Sequence, residues 1–275
     1  MSPVEELVGA VDAAFVETGR GLAGWPNPHP DRLPLDEEYS RVTNPYKWQI
    51  LAARADAWLA ALADAGLAEI EEETNVAWEE PPRLEPNRAY RARPRAPGAL
   101  PLVVAMERLE GIDDAGVSLG VGDPAVLLLA TPGCGCDACD SGSQDALDEF
   151  DEYMLSVVTG SYRKLRLGKR EITVISDNHR SSRGFGRYRP GIGGFMMDLS
   201  FRLRLGRFQG VEAPNSGYYV MRPRKILTHL RTDKVGVPFL WRRRRRGDQV
   251  DRILANVRGW NELSGVAWLN EEEFR

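Results

Sequence analysis

Three cysteines within six consecutive residues carry the clearest chemical signal of this chain. They are Cys134, Cys136 and Cys139, and the 275 residues contain no other cysteine. Thiols this close together can share a metal ion, exchange a disulfide or supply a nucleophile. In this C-x-C-x-x-C spacing, Gly135 allows a tight turn and three thiolates can reach one tetrahedral Zn²⁺. Zinc is therefore the cofactor that the sequence predicts, at a site we name the cysteine turn, residues 134–140.

A zinc ion needs a fourth ligand from another part of the chain. The histidines are His29, His179 and His229, and we select His29 as the candidate fourth ligand. It lies in the segment Trp-Pro-Asn-Pro-His-Pro-Asp-Arg, where alternate prolines exclude a regular element and predict an exposed loop. We name residues 25–41 the proline-rich loop. Its other polar residues form a second candidate polar site: Asp31, Glu37, Glu38, Tyr39 and Arg41.

Two other interpretations of the thiols stay open, reduced thiols in a structural turn and a redox or nucleophilic role. A nucleophilic cysteine needs a positive neighbour or a helix N-terminus that favours the thiolate. Asp137 and Asp140 are expected to oppose thiolate formation. Glu37 and Glu38, being adjacent, point in different directions on any regular element and make a poor acid and base pair. We therefore assign no catalytic residue, and a non-enzyme is favoured.

Composition predicts a folded, soluble protein. The chain is 43% hydrophobic and 28% charged, which is typical of globular proteins. Its start is acidic where a secretory signal would be basic, and the longest apolar run, 125–130, cannot span a bilayer. The sequence predicts a cytoplasmic protein with no membrane partner, and an odd, clustered set of cysteines there argues against a disulfide framework.

The net charge of −4 conceals two oppositely charged regions. Residues 1–160 contain 11 Lys and Arg against 29 Asp and Glu, whereas residues 161–275 contain 25 against 11. The favoured interpretation packs the basic region against the acidic one within a single domain, 1–275. The alternative is a basic face for nucleic acid or another polyanion, including Arg242–Arg246, but it is not favoured. A protein partner is the other option.

Patterns along the chain predict an α+β fold. N-terminal helices pack on a mainly antiparallel sheet, and the cysteine turn leads into a central helix. Capping residues and apolar periodicity predict helices after Ser2, after Asn44, at Ser143–Val158 and at Gln249–Val257. Short β-prone runs predict strands at Pro101–Leu109, Gly116–Val121, Ala125–Ala130, Tyr162–Leu167, Glu171–Ile175, Phe195–Leu205 and Tyr218–Met221.

Several segments together resemble DUF6226, an uncharacterised bacterial family. They are Trp25–Arg32, Leu35–Thr43, Ala53–Trp58, Pro97–Leu102 and Cys134–Ser143. The resemblance covers the first 160 residues best and implies no activity, substrate or cofactor. It does imply that the proline-rich loop and the cysteine turn are shared features of the family and belong to one site.

These observations lead to three functional hypotheses. The first is a non-catalytic cytoplasmic domain with a structural or regulatory zinc at the cysteine turn, whose purpose is to bind a partner. The second is a metal-assisted hydrolase with a polar cleft between the proline-rich loop and the cysteine turn. The third is a polyanion-binding protein that uses its basic C-terminal region.

Overall fold

Helix boundaries in the computed structural model, which describes residues 2–176, 179–183 and 250–269, follow the capping residues. Helix α1 spans Pro3–Thr18. The Oγ of Ser2 accepts a hydrogen bond from the backbone N–H of Glu5, and the Glu5 carboxylate accepts one from the N–H of Ser2. This reciprocal pair is the predicted capping box.

The second helix begins later than its predicted cap. A 3₁₀ turn, Pro45–Trp48, comes first and continues into α2, Gln49–Asp64. The side chain of Asn44 makes no capping hydrogen bond. Gly66, at φ +67°, ends the helix, since glycine tolerates a positive φ. The central helix α3 spans Ser143–Val158 as predicted.

Five strands form the first sheet as an antiparallel meander in the order β1-β2-β3-β4-β5. The strands are β1 Ala68–Glu72, β2 Glu85–Pro94, β3 Leu102–Leu109, β4 Ile112–Val121 and β5 Val126–Thr131. The last three agree with the predicted runs to within a few residues. Strands β1 and β2 were not predicted, because their many charged residues obscure the apolar alternation.

Both faces of the central strands are covered. Every residue from Leu102 to Met106 in β3 is buried, and successive strand residues point to opposite faces. Helix α2 packs on β4 and also contacts α1, α3 and β1. Segment 78–84 lies over the glycines of β4, because an added Cβ would lie 2.4 Å from Trp78 at Gly120 and 3.2 Å from Leu84 at Gly116.

A second antiparallel sheet has the order β8-β7-β6-β9. Its strands are β6 Arg163–Leu167, β7 Arg170–Ser176, β8 His179–Arg183 and β9 Asn261–Ser264. Strands β6 and β7 lie at two of the predicted strand runs and pair as an antiparallel hairpin. Residues 250–255 are helical, and Val250, Ile253 and Leu254 pack against the core formed by Leu165, Ile172 and Val174. The strands predicted at 195–205 and 218–221 lie outside the described residues.

Two antiparallel sheets with helices make this an α+β protein, as predicted. The chain divides into two compact units, residues 1–161 with 265–275, and residues 162–264. The prediction of one domain over 1–275 stays a prediction. No helix within the described ranges is both long and apolar enough to cross a bilayer.

Candidate metal centre

The cysteine turn lies between the end of β5 and the start of α3. Gly135 separates the first two cysteines at φ +69°, where an L side chain is strained. A Cβ at this position would also lie 2.5 Å from the Cδ2 of Leu109 in β3. The backbone conformation therefore favours glycine, and any larger residue would also force the Leu109 side chain to shift. Residues Asp137–Cys139 then form a 3₁₀ turn that directs the last cysteine towards the other two.

The fold brings the three sulfur atoms together. All three Sγ atoms lie within 4.8 Å of one another, and those of Cys134 and Cys136 are 3.2 Å apart. None is in a disulfide, and Cys136 is buried while Cys134 and Cys139 are exposed. A tetrahedral Zn²⁺ with Zn–S bonds of about 2.3 Å separates its sulfurs by about 3.8 Å. Small shifts would therefore complete three metal–thiolate bonds.

Hydrogen bonds within the cluster favour one thiolate. The thiols of Cys139 and Cys136 and the backbone N–H of Cys136 donate to the Sγ of Cys134, near the positive Arg83. They lower the pKa of Cys134 to about 5, although burial opposes this. The pKa of Cys139 is raised because its thiol proton is held by Cys134. Burial, and then the bond to Cys134, raises the pKa of Cys136.

Asp137 connects the cysteine turn to the last residue of the proline-rich loop, Arg41, and to Thr43, which follows the loop. Its carboxylate accepts hydrogen bonds from the Nε of Arg41 at 2.7 Å, from the N–H of Thr43 at 2.9 Å and from the Thr43 hydroxyl. Its own N–H donates to the carbonyl of Arg41. Burial opposes ionisation, but the Thr43 hydroxyl and Arg41 outweigh it and hold the pKa of Asp137 at about 2.

Asp140 makes a second connection, to two tryptophans and a lysine. Its carboxylate accepts hydrogen bonds from the Nε1 of Trp25 and from Lys47. The Lys47 ammonium lies 5.3 Å from the ring centroid of Trp25 and 5.4 Å from that of Trp48, which are cation–π distances. Each of the two aspartates is therefore paired with a cation, Asp137 with Arg41 and Asp140 with Lys47.

His29 lies beside the cysteine turn. Its Nε2 is 2.9 Å from the carbonyl oxygen of Asp137. Its Nδ1 is buried and has no hydrogen-bond partner among the residues that the structure describes. Neither nitrogen belongs to the group of ligand atoms within 4.8 Å of one another, which contains the three cysteines alone in the described ranges. The role of His29 as fourth ligand stays a prediction.

The predicted polar residues of the proline-rich loop differ in exposure and in partners, and the site that they would form stays a prediction. Glu38 is buried and accepts two hydrogen bonds from Arg32 and one from the N–H of Leu35. The Arg32 bonds, and then the Leu35 bond, lower the pKa of Glu38 to about 2. Arg41 lies 3.5 Å from Glu38 and also reaches Asp137. The other three predicted residues are exposed: Asp31, Glu37 and Tyr39.

One family model covers both the proline-rich loop and the cysteine turn. A model of DUF6226, a family of unknown function, matches residues 11–194. The chain belongs to the DUF6226 family. This confirms the resemblance. No curated protein and no solved structure matches the chain.

This DUF6226 chain also holds a buried acid that the sequence analysis missed. Glu107 in β3 is fully buried, and no hydrogen-bond partner of its carboxylate is found among the described residues. Burial raises its pKa to about 7, and the neighbouring Ser118 hydroxyl lowers it only in part. The available signal was an acidic residue inside the otherwise largely apolar run Leu102–Leu109, in which Glu107 and Arg108 are the two charged residues.

Proposed function

We propose that the chain is a non-catalytic metal-binding domain whose cysteine turn holds Zn²⁺ through Cys134, Cys136 and Cys139. The observation that carries this proposal is the approach of three sulfur atoms within 4.8 Å of one another. Zinc bound there would fix the turn, and with it the segment from Trp25 to Lys47 that Asp137 and Asp140 hold in place. The domain then presents this segment to a protein partner, in the cytoplasm.

The neighbouring carboxylates support a non-catalytic role. A general acid or base works best with a pKa near the operating pH. Glu38 and Asp137 instead have pKa values of about 2 and are held as carboxylates by their hydrogen-bond donors. Asp140 already accepts bonds from Trp25, Lys47 and the backbone of Gly142. These groups serve to hold the fold together around the turn.

His29 is the fourth ligand that we propose, through its Nδ1. If Nε2–H donates to the Asp137 carbonyl, Nδ1 carries a lone pair, which is the arrangement typical of a metal-bound histidine. Nδ1 would have to move closer to the sulfurs to join them. We expect His29→Gln to weaken Zn²⁺ binding by at least about tenfold in a competition titration with a chromogenic chelator. Tyr39→Phe, in the same loop, should leave the affinity unchanged.

Metal content is the deciding measurement. The protein is purified under reducing conditions without added metal and analysed by elemental mass spectrometry. We expect about one Zn²⁺ per chain, lost in Cys136→Ser and retained in Ser40→Ala, an exposed position in the proline-rich loop. Metal-free protein with three titratable thiols that also fails to take up added Zn²⁺ would refute the proposal.

A metal-assisted hydrolase is the second candidate. It is favoured by the three-member ligand set in the described ranges, because catalytic zinc sites keep one position open for water. Its test is hydrolysis of chromogenic carboxylic and phosphoric esters by the zinc-loaded protein. Turnover that disappears both on chelation and in Cys136→Ser would support the enzyme, and turnover that persists in either would exclude it.

Polyanion binding rests on the positive charge of residues 161–275. Arg242–Arg246, which motivates it, lies outside the described residues. The hypothesis predicts salt-sensitive retention of the full chain on heparin. A protein that flows through the column at low salt would exclude it.

A further inference from the structure

Two sulfurs of the cysteine turn lie close enough to react with each other. The Sγ atoms of Cys134 and Cys136 are 3.2 Å apart, and a disulfide bond is about 2.05 Å long. Closing this gap of roughly 1 Å requires side-chain rotation and a small backbone adjustment. Gly135 between the two cysteines has a φ of +69°, a backbone conformation that glycine adopts readily in tight turns.

The two cysteines differ in exposure in a way that suits sequential oxidation. Cys134 is exposed, so a small oxidant in solvent can reach it, whereas Cys136 is buried. Cys139 is exposed as well, but within the pair whose sulfurs are 3.2 Å apart the first to be oxidised would be Cys134. The sulfur of Cys136 would then attack the oxidised Cys134, and its own burial limits its direct contact with the oxidant.

We propose that Cys134 and Cys136 are a site of oxidative modification by peroxides, and that their disulfide releases the metal from the cysteine turn. The release rests on the proposed function, whereas disulfide formation does not. The bridge takes two of the three sulfur ligands, and the two that remain, Cys139 and the proposed His29, are too few to retain a tetrahedral Zn²⁺ ion. Metal binding and oxidation are then mutually exclusive states of one site.

The chemistry balances with hydrogen peroxide as the oxidant. The sulfur of Cys134 attacks one peroxide oxygen, the O–O bond breaks, and a sulfenic acid and one water form after proton transfer. The thiol of Cys136 then attacks the sulfenic sulfur, the S–O bond breaks, and the hydroxyl leaves as a second water with the thiol proton. Two thiols are oxidised to one disulfide, and one peroxide is reduced to two waters.

Peptide mapping of the metal-free wild-type chain tests the disulfide. After treatment with hydrogen peroxide and alkylation, we expect an internal bridge between Cys134 and Cys136, with Cys139 alkylated, and full reversal by a dithiol reductant. Cys139→Ser should form the same bridge and Cys136→Ser should not. A bridge to Cys139 in the wild type, or sulfinic acid at Cys134 without any bridge, would overturn the proposal.

Zinc release is followed on the zinc-loaded chain with a chromogenic chelator during the same oxidation. We expect Zn²⁺ to appear in proportion to the disulfide, and metal retained by the bridged protein would contradict the release. A chain that forms the bridge but never binds zinc would refute the proposed function and leave the modification site. A chain that binds zinc but forms no bridge would refute the oxidation site and leave the proposed function standing.

Discussion

Glu107 is a carboxyl group in the middle of the first sheet, and its oxygens have no hydrogen-bond partner among the described residues. Its carboxylate lies beside Gly116 and Leu84. A Cβ added at Gly116 would be 3.5 Å from the Glu107 carboxylate and 3.2 Å from the Leu84 side chain. An ionised carboxylate at this buried position would lose its hydration by water and would gain no hydrogen bond from the described residues in exchange. The protonated form is therefore favoured in the folded protein up to about pH 7.

This residue makes stability depend on pH. The pKa of Glu107 rises from 4.5 in the unfolded chain to about 7 in the folded one. The free energy of unfolding therefore decreases as pH rises from 4.5 to about 7, and above pH 7 this residue causes no further change. We expect Glu107→Gln to stabilise the protein at pH 8 by up to about 3 kcal/mol, and by little at pH 4.5, in urea unfolding. Equal effects at both pH values would contradict this. Glu72→Gln, exposed in β1, is the control.

At the scale of elements, one buried arginine joins three helices. Arg54 of α2 is 5% exposed and forms ion pairs with Asp12 of α1 at 2.8 Å and with Asp151 of α3 at 2.7 Å. Trp58 donates to the same Asp151 carboxylate. The Arg54 guanidinium also lies over the ring of Phe15. Helix packing here depends on charge pairing as well as on apolar burial.

Removing that arginine should be costly. Arg54→Met leaves Asp151 without its buried cation, and loss of one partner of a buried pair typically costs about 3–5 kcal/mol. The measurement is the free energy of unfolding in urea. Arg20→Met, which breaks an exposed pair with Glu17, should change it by less than about 1 kcal/mol. Similar losses in both variants would show that the burial of Arg54 is not the cause.

The connection at Asp137 governs the proline-rich loop. We expect Asp137→Asn to speed amide hydrogen exchange at Thr43, whose N–H donates to this carboxylate, while exchange in β3 stays unchanged. Since the pKa of Asp137 is lowered to about 2, the wild-type connection holds above the ordinary carboxyl pKa and is lost as pH falls towards 2.

Asp36→Asn, exposed in the same loop, controls for the change of charge. Faster exchange in β3 as well would contradict a local role for Asp137, because the whole unit would then be opening.

At the scale of the whole molecule, the first unit is completed by residues from the end of the chain. The N–H of Trp268 donates to the carbonyl of Val158 at the end of α3, at 2.8 Å, and the tryptophan is 2% exposed. Val266 donates to the carbonyl of Gly98. The unit that contains the cysteine turn therefore includes residues far away in the sequence.

Truncating that tryptophan should destabilise the first unit. We expect Trp268→Ala to cost about 3–5 kcal/mol through lost burial and the cavity left behind, seen as faster hydrogen exchange in α3 and β3. Val266→Ala, at a side chain that is 52% exposed, should cost about 0.5 kcal/mol or less. An effect of Trp268→Ala confined to residues 266–269 would show that the C-terminal return is peripheral.

The sequence alone predicted those helices and strands that are specified by residues close together in the chain. The capping box at Ser2, the boundaries of α3 and the hairpin of β6 and β7 were all predictable, because caps, glycine stops and apolar periodicity act over a few residues. The three cysteines were likewise visible as one cluster, since ligands so close in sequence lie close in space whatever the rest of the fold does.

Tertiary structure alone decided what surrounds that cluster. The partners of Asp137 and Asp140 lie more than ninety positions away in the sequence, at Arg41, Thr43, Trp25 and Lys47, and long-range pairing leaves no local pattern. Strands β1 and β2 were missed for a related reason. Arg91 in β2 is buried in an ion pair with Glu73, whereas hydropathy alone predicts that a charged residue is exposed. Periodicity reports which residues bury apolar surface, whereas charge pairing between distant segments is settled only when the chain is folded.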